Sequence, residues 1–146
     1  MLLDVQTGFS VAQVITATAA STNNLDLGVV RNIGVGEELY LLFIVTAAFT
    51  DSGSDSTVTP SLQTDTTSAF GAAVTVRTYD TLAALTPLGT KRMYKLEPFT
   101  DVGLYKRFVQ IMYTVANGNL TTGAISAYLT KDVQAWTPYA VGYTVQ

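Results

Sequence analysis

Residues 39–49 read LYLLFIVTAAF, the longest nearly unbroken apolar run in the chain. The run is rich in β-branched and aromatic residues, which fits a strand better than a helix. A strand turns successive side chains to opposite faces. Leu39, Leu41, Phe43, Val45, Ala47 and Phe49 then share one wholly apolar face. Tyr40, Leu42, Ile44, Thr46, Ala48 and Thr50 share the other, apolar with a few hydroxyls. A strand of this kind must sit centrally and be covered on both sides.

The flanking segments read as further strands separated by turn-forming clusters. Val11 to Thr18, Leu25 to Val30, Thr57 to Thr66, Ala73 to Tyr79, Arg92 to Glu97, Tyr105 to Ala116 and Thr122 to Thr130 have strand character. Pro60 lacks a ladder donor, which predicts an edge strand or a bulge there. Asp80 to Thr90 has helix formers but is cut by Thr86-Pro87, so it reads as a turn of helix or an irregular crossover. Asn117-Gly118-Asn119 is a hairpin signal, which predicts that 122–130 pairs back on 105–116. Residues 1–10 read as an N-terminal arm and 132–146 as an aromatic C-terminal arm around a single domain spanning 1–146. The expected fold is an all-β antiparallel sandwich, with a jelly roll as the favoured form.

Composition narrows function by exclusion. The 146 residues are 48% hydrophobic and only 13% charged, so a core can form and the chain is not a disordered one. Net charge is −3, and the densest basic pairs, Lys91-Arg92 and Lys106-Arg107, each split across the two faces of a strand. No nucleic-acid partner is expected from such a distribution. Cysteine is absent, which removes disulfides and thiolate metal sites. Histidine is also absent, and with it the commonest general base and metal ligand. No apolar run reaches the length of a membrane helix, so no membrane partner is expected. The N-terminal stretch has no basic region and is interrupted by Asp4, Gln6 and Gln13, unlike a signal peptide. The protein is therefore expected to stay in the compartment where it is made.

Few motifs carry chemistry. Asp51, Gly53 and Asp55 in DSGSDS have the alternate spacing of a calcium loop but lack its later Glu, and a solvated loop explains them better. Asp65, Asp80, Asp101 and Asp132 could supply a carboxylate pair, but each lies in or beside a turn, where Asp caps backbone. Asn119-Leu120-Thr121 matches a glycosylation sequon and reads more simply as the hairpin turn. Gly34-Val35-Gly36 is too short for a phosphate loop. Trp136, Tyr139 and Tyr143 could close the core, form a protein interface or make a sugar platform. The expectation is no enzyme, no catalytic or metal residue and no cofactor.

Four stretches, in order, resemble a known family: MLLDVQTGFSVAQVITATAAST (1–22), LDLG (25–28), SLQTDTTSAF (61–70), and DVQAW with YAVGYTV (132–136 and 139–145). They are similar to the small capsid cement, or decoration, proteins of tailed phages, of the type on the head of the Bordetella podovirus. The segment from Asp80 to Tyr105 carries no resemblance. The family likeness implies a jelly-roll subunit, a homotrimer, and binding to the outer surface of a phage capsid. It implies a virion protein, made in the host cytoplasm, that stabilises the head by bridging neighbouring major capsid subunits. Met1, Leu2, Leu3, Trp136 and Tyr139 are the expected contact residues. The competing expectation is a carbohydrate-binding or receptor-binding sandwich of a phage particle, using Trp136, Tyr139 and Tyr143.

Overall fold

A computed structural model of the chain describes residues 5–33, 36, 38–98, 103 and 105–131. A 3-10 turn, Val5–Thr7, leads into ten strands. They are β1 Gly8–Val14, β2 Ala19–Ala20, β3 Leu25–Asp26, β4 Tyr40–Thr50, β5 Thr57–Asp65, β6 Val74–Thr78, β7 Leu82–Ala83, β8 Lys91–Lys95, β9 Phe108–Ala116 and β10 Thr122–Thr130. One sheet has the order β1-β10-β4-β8 and the other β2-β9-β5-β6. β3 joins β9 in line with β2, and β7 joins β5 beside β6. Every pairing is antiparallel. The pairs nest from the chain ends inward: β1 with β10, β2 and β3 with β9, β4 with β8, β5 with β6. A long antiparallel ribbon wrapped in this way gives the two Greek keys of a jelly roll.

The run that organises the sequence is β4, and it lies inside its sheet between β10 and β8. Leu41, Phe43, Val45 and Phe49 enter the core with Ile15, Val58, Leu62, Ile111 and Ile125. Tyr105, Val109, Ile111 and Tyr113 are buried on one face, as the alternation in 105–116 implies. Arg107 departs from that face because β9 begins only at Phe108, and its guanidinium pairs with Asp26 outside. Gly123 in β10 lies directly under the Phe49 ring, where a Cβ would come within 2.2 Å of Cδ1.

Several expectations change. Strand β1 starts at Gly8 rather than Val11, and Phe9 is 1% exposed, so the core claims the end of the expected arm 1–10. Leu25 to Val30 keeps only Leu25–Asp26 as strand. Strand β5 is interior, not an edge, because β9 pairs with it along its whole length. Pro60 is tolerated because its carbonyl, and so its missing donor, faces Tyr79, where β6 has ended and β7 has not begun. A register shift does occur, at Leu62/Gln63. Residues 84–90 form an irregular crossover that continues the β4 edge, with Thr86 and Thr90 carbonyls accepting from Phe49 and Val45.

The hairpin expected at Asn117-Gly118-Asn119 does not form. β9 and β10 lie in different sheets, and residues 117–121 cross the end of the sandwich. Leu120 plugs that end at 4% exposure, and its N–H donates to Thr16 O. Five residues are enough to arch between sheets, and the Asn-Gly conformations with positive φ serve an arch as well as a tight turn.

Candidate interaction surface

The two edges of the sandwich are closed largely by side chains, with one backbone bond from Asn23 N–H to Phe9 O on the β1/β2 side. On the β1/β2 side, the Tyr113 and Ser10 hydroxyls are 2.9 Å apart, and Ser10 Oγ donates to Gln13 Oε1. Gln13 Nε2 then donates to Ala20 O. This chain of polar groups ties β9 to β1 and β2, and burial pushes the Tyr113 hydroxyl up despite the Ser10 bond. On the β6/β8 side, Tyr79 packs against Phe43 and Tyr94 at ring distances of 5.4 and 4.7 Å. Tyr94 Oη donates to Asp80 Oδ2, and Arg77 pairs with Glu97 at 2.9 Å. Burial is the first cause that raises Tyr79, Tyr94 and Tyr105, the last to about 12. Sequence reading missed this aromatic cluster, because Tyr79 and Tyr94 are brought together only by the β4–β8 and β5–β6 pairings.

Two of the carboxylates singled out from sequence, Asp51 and Asp65, are engaged by nearby hydroxyl and backbone N–H groups. Asp51 Oδ2 accepts from Ser56 Oγ at 2.8 Å and from the Ser56 and Asp55 N–H groups. Those bonds, the hydroxyl first, lower its pKa to about 2. The DSGSDS loop is thus a capped turn organised by Asp51. Asp65 is buried and accepts from the N–H groups of Thr66, Thr67 and Ala72, which close the β5–β6 loop and lower its pKa. Asp65 and Asp80 lie beyond opposite ends of β6, roughly 17 Å apart along five strand residues, so they do not pair. Asp101 and Asp132 lie outside the described residues, as do Gly34 and Val35. Among the described residues, no group of three His, Cys, Asp or Glu is placed to hold a metal.

The expected contact residues Met1, Leu2, Leu3, Trp136 and Tyr139, and also Tyr143, lie outside the described residues. The strands nevertheless fix where those segments attach. Gly8 is opposite Tyr128, and Thr130 is opposite Tyr40. Both terminal segments therefore join the sandwich at the same end, together with the β3–β4, β5–β6 and β8–β9 connections. The opposite end carries residues 15–18, 51–56, 79–90 and 117–121, which include Asp51, Asp55 and Asp80 and no Lys or Arg. The attachment end is mixed in sign: Arg31, Lys106, Arg107 and Lys131 stand among Asp26, Glu38, Asp65 and Glu97, with Asp26 held to about 2 by its bond to Arg107.

Exposed apolar side chains mark the outside of the molecule. Val11 and Val14 stand out on edge strand β1, Met93 on edge strand β8, Leu85 and Leu88 on the crossover, and Val29 and Val30 after β3. Edge β8 is guarded by Lys91, Arg92 and Lys95, the usual protection of an unpaired strand, whereas β1 carries no charge. A polar cleft of about 360 Å³ lies beside the start of β1, lined by Gln6, Gly8, Thr22, Asn23, Asn24 and Leu25. Its polar groups are partly engaged: Asn23 Nδ2 donates to Gly8 O and Thr22 Oγ1 to Phe9 O.

The chain matches the model of one protein family, described as Bbp16, over residues 9–129. No curated protein matches it.

Proposed function

The chain belongs to the Bbp16 family, a family of Bordetella phage proteins, and from that membership we propose that it is a virion cement protein. In this reading it is made in the host cytoplasm and binds the outside of the capsid as a homotrimer. It stabilises the head by bridging neighbouring major capsid subunits, so that rupture of the shell must also break its contacts. The observation that carries the reading is the family match, which runs from β1 to β10 and so covers the whole jelly roll.

The geometry supports a division of labour. Both terminal segments attach at one end of the sandwich, so Met1, Leu2 and Leu3, with Trp136 and Tyr139 as further candidates, can reach one underlying surface. A three-fold assembly repeats each contact three times and matches three-fold points of an icosahedral lattice. Contacts that are individually modest then add through multivalency.

Deletion of residues 1–4 tests the contact. The truncated protein is expected to keep its oligomeric mass and to decorate undecorated heads poorly. Decoration equal to that of the full chain would remove the N-terminal residues from the interface. A glycan array tests the sugar-binding alternative: specific binding that is lost on Trp136→Ala would favour it over the capsid.

A further inference from the structure

The arch from β9 to β10 contains Asn117-Gly118, a dipeptide with chemistry of its own. The backbone nitrogen that follows an asparagine can attack the side-chain amide carbon, and glycine hinders that nitrogen least because it has no Cβ. The fold leaves this attack open. Asn117 and Gly118 are both exposed. Among the described residues the Gly118 N–H has no acceptor, so no hydrogen bond must break before it gives up its proton. The Asn117 side chain is held by one long bond, from Nδ2 to Asp55 O at 3.4 Å. The other four asparagines are better protected. Asn23 Nδ2 is engaged by Gly8 O. Asn24, Asn32 and Asn119 precede Leu25, Ile33 and Leu120, whose side chains crowd the nitrogen. The Leu120 N–H is also bonded, to Thr16 O.

We infer that Asn117 is a site of spontaneous deamidation in the folded protein, and that the reaction loosens the end of the sandwich plugged by Leu120. The Gly118 nitrogen bonds to Asn117 Cγ and gives up its proton. The Cγ–Nδ2 bond breaks, and ammonia leaves with that proton. The succinimide then takes up one water at either of its carbonyls. One opening gives aspartate. The other gives isoaspartate, in which the main chain runs through the side-chain methylene. Either product loses the amide donor to Asp55 O and sets a carboxylate beside that carbonyl. The segments at this end already hold Asp51, Asp55 and Asp80 and no Lys or Arg. Isoaspartate also adds one backbone atom to an arch pinned by Leu120 N–H to Thr16 O at 2.9 Å and Thr121 N–H to Thr50 O at 2.8 Å. This assignment rests on the arch alone and is independent of the capsid reading.

The experiment holds the full chain at mildly alkaline pH, in native buffer and separately in urea, and follows its peptides by mass spectrometry. The expected result is conversion at residue 117 under both conditions. In native buffer it should run severalfold faster there than at Asn23, Asn24, Asn32 or Asn119, with isoaspartate among the products. Asn117→Gly has no amide and suits the positive φ of 62°, so it should abolish the reaction in the arch and keep the fold. Aged protein should melt below Asn117→Asp, which carries the charge without the added backbone atom. Conversion in urea but not in native buffer overturns the inference, and so does native conversion led by another asparagine. Aged protein that melts together with Asn117→Asp overturns the loosening of the plug.

Discussion

At the scale of single residues, two positions concentrate the argument. Gly123 is a backbone platform for the Phe49 ring, and Phe49 is 1% exposed and has nowhere to retreat. Gly123→Ala is expected to cost about 3 kcal/mol in urea unfolding, at the upper end of what overpacking a core costs. An unchanged midpoint would mean that β10 shifts freely. Asp51 organises a six-residue turn through one carboxylate oxygen. Its folded pKa of about 2 lies below the ordinary value of 3.8, so its contribution is full above that ordinary value and is lost as pH falls towards 2. Asp51→Asn should therefore melt lower than the parent at neutral pH, and the difference should shrink through that acidic window. A constant difference down to pH 2 would show that the charge is not what matters. The role of Asp51 was half legible in the sequence: DSGSDS declared a loop, but only the fold shows the carboxylate turned inward onto Ser56.

At the scale of elements, the stability of each edge depends on its side-chain closure. Tyr79 holds β8 to the rest of the sandwich through Phe43 and Tyr94. Tyr79→Ala is expected to cost roughly 3–5 kcal/mol, in line with removal of a large buried aromatic. Hydrogen exchange should show the amides of β8 released before those of β9, because local opening follows the weakest cooperative unit. The Arg77–Glu97 pair beside it is exposed, and Glu97→Gln should change stability by no more than about 0.5 kcal/mol. Strand existence was largely legible, since alternation marks a half-buried strand wherever the core takes one face. Strand partnership was not. Asn117-Gly118 encodes a change of direction, but whether the next strand returns to the same sheet depends on β4, which claims β10 from more than seventy residues away. Pro60 shows the same limit: a missing donor is harmless where the neighbouring strand is interrupted, and that interruption is non-local.

At the scale of the whole molecule, the assembly reading makes the plainest prediction. Light scattering should find a species near three times 15.6 kDa that persists on dilution. A monomer at every concentration would remove the trimer from the proposed function. The class of fold was legible from turn spacing and the scarcity of helix signals, whereas the expected contact residues Met1, Leu2, Leu3, Trp136 and Tyr139 fall outside the described residues. The nested strand order has a consequence for how the subunit is made. Strand β10 fills the place between β1 and β4, and Gly8 meets Tyr128 only once the last of the described strands has been made. Neither sheet can close before β9 and β10, the last two of the described strands, have been made. Pairings this distant in sequence fold on the millisecond to second scale. Until then the apolar flank of β4 stands open to any nascent copy nearby. Yield of native subunit should therefore fall as synthesis becomes crowded, and a slower supply of chain should recover it.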